Sequence, residues 1–191
     1  VSRLIEWKHP EIPILIAKRL KEEGYYFNIE MIGIGKMQKE IQYMIDLYQL
    51  QDYVHLLGGM PPIEVRKHME KAEIFLFTSD KNEGWGAVLN ESLNSGCAVV
   101  ANRSIGSVPF LLDNGLNGLV YDNNIDSAYI CVKQLMDNES LRYKLGKAGY
   151  ETMLKKWSAK NAVSNFFTLI NSLQHNSVEN PIKDGPCSKI D

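Results

Sequence analysis

Two glutamates around a glycine-rich turn are the residues of this sequence best suited to chemistry. Glu83 and Glu91 stand eight residues apart, and Gly84 and Gly86 follow the first of them. Glycine has no side chain to keep a ligand away from the backbone, and carboxylates accept hydrogen bonds from hydroxyl groups. The alternative is a tight connection with both glutamates in water. These four residues alone leave the two interpretations evenly balanced.

The segments on either side of this turn favour a ligand site. A short apolar run at 74–79 predicts a buried strand, and residues 87–94 predict a helix that ends at Gly96. The first N–H groups of a helix lack internal acceptors and carry the positive end of its dipole, so they attract anions. Backbone donors for an anion, with carboxylates for hydroxyls on both sides, suit a phosphorylated sugar.

Composition narrows the class of protein. The chain has 191 residues, 45% hydrophobic and 23% charged, which is enough for one sizeable globular core. Its net charge of −2 gives no support to nucleic-acid binding. No apolar run approaches the roughly 18–20 residues that span a bilayer. Three scattered cysteines and four histidines without ligand spacing favour a reducing, cytoplasmic environment and no metal.

Strands alternate with helices along most of the chain. The strands are predicted at 1–5 (the end of one), 27–32, 53–57, 74–78, 97–101 and 117–121. This alternation predicts an α/β fold, a doubly wound Rossmann-like parallel sheet of about six strands with helices on both faces. We expect residues 1–173 to form this domain and residues 174–191 to be a disordered tail. Because 1–5 resembles a strand end, we expect further sequence upstream.

The candidate ligand-binding segments all follow predicted strand ends. In doubly wound folds, ligands bind at the carboxyl edge of the sheet. The segments concerned are 3–8, 33–35, 58–59, 83–86 and Gly106. The sequence therefore predicts that they meet along one edge and form one site.

The order of these motifs resembles a known family. The series runs Ser-Arg-Leu…Lys, Gly-x-Gly, Val-x-Leu-Leu-Gly, Glu-Gly-Trp-Gly-x4-Glu, Gly-Cys-Ala-Val-Val-Ala and Asn-Gly-Leu-x-Gly. It is similar to the carboxyl-terminal, donor-binding domain of the retaining GT-B glycosyltransferases of family 4, also called glycosyl transferases group 1. The resemblance covers about residues 1–173. It implies that this chain is one Rossmann-like half of a GT-B fold.

The resemblance assigns catalytic roles to three side chains. Arg3 and Lys8 match the basic pair that grips the donor diphosphate, and Glu83 matches the glutamate beside the donor sugar. A guanidinium and an ammonium can neutralise the charge that builds on the leaving nucleotide. The alternative for both cations is an ordinary surface position.

Further donor-binding roles follow from the same motif. The backbone of Gly84, Trp85 and Gly86 matches a segment that contacts sugar hydroxyls. Ala87 and Val88 match the helix-start amides that face the phosphates, and Glu91 matches a ribose-binding glutamate. For the Trp85 side chain, a packing role is the alternative.

The base is expected near Gly35 and Gly58, although these glycines could instead serve only as turns. His55 lies in the middle of a predicted strand and is expected to be packed in the core. The sequence also departs from the family pattern. His9 takes the place of a glycine, and Ser107-Val108-Pro109-Phe110 replaces a glycine and a glutamate that the family has after Gly106.

The resemblance implies a hexosyltransferase that uses a nucleoside-diphosphate sugar, retains configuration and needs no metal or other cofactor. An amino-terminal acceptor domain would be missing from this chain, so it would be an incomplete enzyme. The expected location is the cytoplasm, with any membrane contact indirect, at the inner face through the missing domain. The sugar, the choice of UDP or GDP and the acceptor stay open.

Two other hypotheses compete with this one. A non-catalytic interaction or regulatory module could retain the same fold, and the departures near His9 and Val108 favour it. A related nucleotide-sugar epimerase or a phosphorylase is also conceivable, but a phosphorylase needs a pyridoxal-phosphate lysine in a much longer chain. Separately, the predicted last helix, 159–173, carries Phe166, Phe167 and Ile170 on an apolar face that we expect to be partly exposed.

Overall fold

The computed structural model describes residues 1–175 and 180–189. The strands are β1 Ile29–Ile32, β2 Val54–Gly58, β3 Ile74–Phe77, β4 Ala98–Asn102 and β5 Leu119–Tyr121. The helices are α1 Glu11–Glu22, α2 Gln38–Leu47, α3 Pro62–Lys71, α4 Val88–Asn94, α5 Val108–Leu111, α6 Ile125–Asp137, α7 Glu139–Lys155 and α8 Ala159–Gln174. A short 3-10 helix, Glu6–Lys8, precedes α1.

All strand pairs in the described part of the chain are parallel. β1 pairs with β2, and β4 lies between β3 and β5. Each pair is connected through a helix, as parallel strands require. The predicted α/β class with parallel strands is confirmed.

The amino-terminal segment lies between the two sets of strands. The amides of Ser2 and Leu4 donate to the carbonyls of Ile32 and Ile34, each at 3.0 Å. Further along, the hydroxyl of Thr78 donates to the carbonyl of Lys8 at 2.6 Å. The segment thus joins the end of β1 to the end of β3.

The predicted strand at 1–5 is wrong, as is the expectation of about six strands in one sheet. The described residues form five strands in two sets. The chain leaves the extended conformation after Leu4, where the amide of Ile5 already donates to Arg3 in a tight turn. A continuous ladder cannot form over so short a contact, although Leu4 itself is buried.

Strand β4 is at the centre of the core, and all five of its residues are buried. Val99 and Ala101 face one apolar cluster, which includes Leu89 and Leu93 of α4. Ala98 and Val100 face a second cluster, formed mainly with α1, α6 and α7. A central parallel strand covered on both faces explains the continuous apolar run at this point of the sequence.

The carboxyl-terminal helices begin at capping side chains. The side-chain oxygens of Asn124, Asn138 and Ser158 accept from amides in the first turns of α6, α7 and α8, at 2.7, 2.9 and 3.2 Å. Such caps satisfy amides that a helix leaves without partners. They fix the first residue of each helix, and the start of α8 at Ala159 is the one that the sequence predicts.

The tail returns to the last helix. Asn165 of α8 donates to the carbonyl of Pro186 at 2.9 Å, and Lys156 pairs with Asp184. Residues 180–189 form turns and bends in this region. The disorder predicted for 174–191 stays a prediction, and residues 176–179 and 190–191 of that tail lie outside the described part.

Candidate functional site

Contacts between successive loops show that the predicted edge exists. The amide of Gly33 donates to the carbonyl of Gly58 at 2.7 Å, and the amide of Gly106 donates to the carbonyl of Glu83 at 3.2 Å. Lys8 pairs directly with Glu83 through their side chains. The loops after β1, β2, β3 and β4 and the amino-terminal segment therefore lie along one edge. We call this edge the loop rim.

Gly35 is required by packing within the loop rim. A side-chain carbon at this position would lie 2.1 Å from the carbonyl oxygen of Leu4. The backbone after β1 can therefore approach the amino-terminal segment only without a side chain there. Gly58, in contrast, has open space around it and a φ of +70°, which favours glycine as a turn residue.

The Lys8–Glu83 ion pair is the most shielded pair of charges in the loop rim. Each side chain is 14% exposed. Burial, together with the positive charge of nearby Arg3, lowers the pKa of Lys8 below its ordinary value. An ammonium in this setting is only partly hydrated, so an anion that reaches it interacts more strongly than it would at an open surface.

Arg3 and Lys8 are grouped around one aromatic ring. The guanidinium carbon of Arg3 lies 5.6 Å from the centre of the Trp7 ring, and the Lys8 nitrogen lies 5.7 Å from it. Contacts of this length allow cation–π attraction. Arg3 is exposed and Lys8 is half-buried. The ring therefore holds two cations beside Glu83, one of them accessible to a ligand.

The glycine turn after Glu83 is closely packed against its neighbours. A side-chain carbon on Gly86 would lie 2.6 Å from the Phe77 ring, and one on Gly106 would lie 1.7 Å from the carbonyl oxygen of Gly84. For a side-chain carbon on Gly84, in contrast, no atom of the described residues would lie within 4 Å. The turn is thus fixed from behind by Phe77 and Gly106, and its Gly84 side is open.

Helix α4 begins directly after this turn without a capping side chain. Ala87 occupies the cap position and provides no side-chain hydrogen bond. Among the described residues, the N–H groups of Ala87 and Val88 have no hydrogen-bond acceptor. Glu91 lies in the first turn of α4 and is exposed. These donors and this carboxylate are available to a ligand at the loop rim.

The side chain of Trp85 packs against neighbouring side chains, which is the alternative to a ligand-binding role for it. Its indole N–H donates to the side chain of Asn90 at 2.8 Å. Its ring lies 5.4 Å from the ring of Phe110 and 5.5 Å from that of Trp157. The three rings form an aromatic cluster next to the glycine turn, in which Trp85 is still 38% exposed.

Several features of this region were missed by reasoning from sequence. One sequence prediction, that Ser107 caps α5, is wrong: its hydroxyl is buried, finds no partner among the described residues and caps nothing. Trp157 had no predicted role, because its packing against Trp85 joins segments far apart in the chain. Asp80 was not singled out, although an aspartate shortly after a strand end is a signal that could have found it.

The expectation that His55 is packed in the core is wrong. His55 is exposed, because β2 lies at the edge of its sheet and has only one buried face. Within the described residues, no group of three histidine, cysteine or acidic side chains is arranged to hold a metal ion. The helices described also include none that is both long and apolar enough to cross a membrane.

The fold and the loop rim together define a Rossmann-like domain suited to an anionic ligand that carries hydroxyl groups. Residues 1–152 match the protein family described as glycosyl transferases group 1, and the chain belongs to that family. This confirms the family resemblance and, with the structural neighbours below, the assignment as one half of a GT-B fold.

Individual relatives agree with the family assignment. The chain is 31% identical over 129 residues to the putative colanic acid biosynthesis glycosyltransferase WcaL of Escherichia coli, covering 65% of this chain and 32% of that protein. The chain spans about a third of the length of the curated relatives it matches. The activity of a whole enzyme is therefore a matter for proposal.

Two solved structures show the same fold. A mutant of Staphylococcus aureus TarM, in complex with fondaparinux, alpha-GlcNAc-glycerol and UDP, superposes with a TM-score of 0.77 at 25% identity, covering 90% of this chain and 34% of that one. The carboxyl-terminal domain of a group 1 glycosyltransferase, LpcC, from Francisella tularensis superposes with a TM-score of 0.72 at 19% identity. That match covers 82% of this chain and 83% of the domain.

Proposed function

We propose that this chain is the donor-binding half of a retaining hexosyltransferase that uses a nucleoside-diphosphate sugar. The observation that carries the proposal is the Lys8–Glu83 pair, placed beside an open glycine turn and an uncapped helix start. Positive charge, free amides and carboxylates converge there. A sugar linked to a diphosphate requires that combination.

The diphosphate would bind between the two cations and the start of α4. Arg3 and Lys8 would contact its oxygens from one side, and the free N–H groups of Ala87 and Val88 from the other. Because two cations are already present, charge on the leaving nucleotide could be neutralised without a metal ion. Independence from metals and other cofactors is part of the proposal.

The sugar and the ribose would be held by the two glutamates. Glu83 would lie beside the donor sugar, together with the backbone of Gly84 to Gly86, and Glu91 would accept hydrogen bonds from ribose hydroxyls. The base would lie near Gly35 and Gly58, at the ends of β1 and β2. UDP is the first nucleotide to test, because the similar TarM structure contains it.

The acceptor would bind to a second domain that this chain does not include. Matches to about a third of the relatives' length support this view, as does the match to an isolated carboxyl-terminal domain. Retention of configuration and a cytoplasmic location, with membrane contact only through that second domain, are further parts of the proposal.

Calorimetry and thermal unfolding with UDP, GDP and their sugars test this proposal. A ligand present at about 100 times its dissociation constant adds roughly 2.7 kcal/mol to the free energy of unfolding. We expect one of the nucleotides to bind and Glu91→Ala to weaken it. If neither nucleotide binds wild-type protein at millimolar concentration, the proposal is wrong.

One observation favours the alternative of a non-catalytic interaction module. Phe110 stands in the segment that replaces the family's glycine and glutamate, and it is packed into the aromatic cluster with Trp85 and Trp157. Recovery of a specific partner chain by a protein that binds no nucleotide would support this alternative over the enzyme.

A further inference from the structure

His9 has an unusual backbone conformation next to Lys8. Its φ and ψ are 48° and 55°, in the left-handed region. A residue with a side chain adopts this conformation at an energetic cost and keeps it only where its surroundings impose it. The motif resemblance places a glycine here, which would bear no such cost. The contacts of the His9 side chain therefore need an explanation.

The imidazole ring of His9 bridges two carboxylates on different elements. Its Nδ1 lies 2.8 Å from Oε1 of Glu11, on α1, and its Nε2 lies 3.5 Å from Oδ2 of Asp80, in the loop between β3 and α4. Burial alone would raise the pKa of Asp80, but hydrogen bonds from Asn82 and His9 outweigh it and hold that pKa below its ordinary value. Asp80 is therefore a stable anionic anchor for the ring.

Two further hydrogen bonds join the backbone of residues 7–8 to the end of β3 and the β3–α4 loop. The carbonyl of Lys8 accepts from the Thr78 hydroxyl at 2.6 Å, and the carbonyl of Trp7 accepts from the amide of Asp80 at 2.9 Å. The ring of His9 is thus the side-chain part of a clamp that holds Lys8 against the loop carrying Glu83. In this arrangement the direction of the Lys8 side chain depends on the left-handed turn at His9.

We propose that His9 is a positioning residue for Lys8, whose ring, by bridging Glu11 and Asp80, holds the turn that points the Lys8 ammonium toward Glu83 and the donor diphosphate. The role of the diphosphate in this inference rests on the function proposed above. The role of His9 in positioning the Lys8 side chain does not depend on that function.

Two substitutions separate the ring from the backbone turn. His9→Gly removes the ring and suits the left-handed conformation, so the protein should fold with little change in its unfolding temperature. His9→Asn also tolerates this conformation but has no imidazole ring to bridge the two carboxylates. The matched control is His68→Asn, because His68 contacts Glu30 at 2.7 Å with similar exposure but joins α3 to β1.

Calorimetry with UDP and with GDP tests the inference. For the nucleotide that binds, we expect His9→Gly to weaken affinity about fivefold, the scale of one modest hydrogen bond. His9→Asn should weaken affinity to a similar extent, and His68→Asn should leave it at the wild-type value. Wild-type affinity in His9→Gly would overturn the inference.

A second readout does not need a nucleotide. The Cε–Hε NMR signal of Lys8, assigned by its loss in Lys8→Arg, reports the surroundings of the ammonium. We expect this signal to shift in His9→Gly and to stay in place in His68→Asn. If wild-type protein binds neither nucleotide, the proposed function fails, and an unchanged Lys8 signal in His9→Gly would then separately overturn the positioning role.

Discussion

At the level of single residues, the site depends on charges that are partly removed from water. Lys8 and Glu83 neutralise each other in the resting protein, and each side chain is only 14% exposed. Such a pair contributes little net stability but leaves a costly unpaired charge when one member is removed. Both consequences can be measured on the same variants.

Lys8→Met should weaken nucleotide binding at least tenfold, because a hydrogen bond to a charged group contributes about 1.5–3 kcal/mol. It should also lower the free energy of unfolding by about 1–3 kcal/mol, since Glu83 loses its partner. Calorimetry and urea unfolding measure the two effects. The control is Lys36→Met, whose pair with Glu6 is about two-thirds exposed and should contribute less than about 1 kcal/mol. Equal effects from both substitutions would contradict this account.

The pH dependence of binding at alkaline pH follows from the lowered pKa of Lys8, caused by burial and by Arg3. The protonated ammonium binds the diphosphate, so affinity should fall as pH rises toward 10, beginning below the ordinary lysine value of 10.5. Lys8→Arg should remove this decrease, because a guanidinium stays charged. Calorimetry between pH 8 and 10 measures both. A flat wild-type profile would show that Lys8 does not contact the ligand.

At the level of secondary-structure elements, the turn between β3 and α4 is closely packed on one side and open on the other. Gly106 and Phe77 pack against the turn on one side, and no atom of the described chain occupies the space into which a side chain of Gly84 would point. A ligand can therefore approach the backbone at Gly84. The close packing on the other side prevents the turn from moving away from the ligand. Gly84 in this junction and Gly106 in the β4–α5 loop behind it therefore have different purposes.

Alanine at these two glycines should separate stability from binding. Gly106→Ala forces a side-chain carbon against the carbonyl of Gly84 and should lower the free energy of unfolding by about 1–3 kcal/mol or more. Gly84→Ala has space for its methyl group and should change stability by less than about 0.5 kcal/mol, yet weaken a nucleotide sugar more than the free nucleotide. Thermal unfolding and calorimetry distinguish them. If Gly84→Ala instead destabilised the protein and left binding unchanged, Gly84 would have a packing role and the ligand-binding role given to it here would be wrong.

Local patterns made most elements predictable from sequence. Helix α8 begins at Ala159 as predicted and ends one residue beyond the predicted 173, because Ser158 caps its start and its apolar residues recur at helical spacing. β4 was predictable because a strand buried on both faces appears in the sequence as a continuous apolar run, here residues 97–101. The strand predicted at 1–5 failed because strand pairing depends on the hydrogen bonds of distant neighbours.

Site geometry was predictable only in part. Motif order placed Lys8 and Glu83 near one edge, but their direct contact depends on the turn at His9, which no sequence pattern specifies. The contacts of Trp85 with Phe110 and Trp157 likewise required the folded chain. The exposure of His55 depended on β2 being an edge strand, a property of the sheet order.

At the level of the whole molecule, helix α8 has an exposed apolar surface. Phe166 and Phe167 are 53% and 59% exposed, and Val163 on the same helix is 57% exposed. The predicted partial exposure of this helix is confirmed. Apolar patches of this kind promote association with other surfaces.

We expect the isolated chain to self-associate at high concentration through this surface. Replacing Phe166 and Phe167 together by serine should restore a monomer without changing nucleotide affinity, since α8 contributes no residue to the proposed site. Light scattering during size-exclusion chromatography measures the molecular mass. Tyr26→Ser is a suitable control, because Tyr26 is 95% exposed and lies away from α8, in the segment after α1. A wild-type monomer at every concentration would contradict the prediction.

The other binding predictions all require that the loop rim binds a nucleotide through its diphosphate. A titration of isotope-labelled protein with UDP and then GDP, followed by amide NMR, locates the bound nucleotide residue by residue. We predict saturable shifts at Lys8, at the backbone of residues 84–88 and at Glu91. No shift at millimolar nucleotide, or shifts confined to the distant groove lined by Arg66, Arg142 and Tyr143, would contradict it.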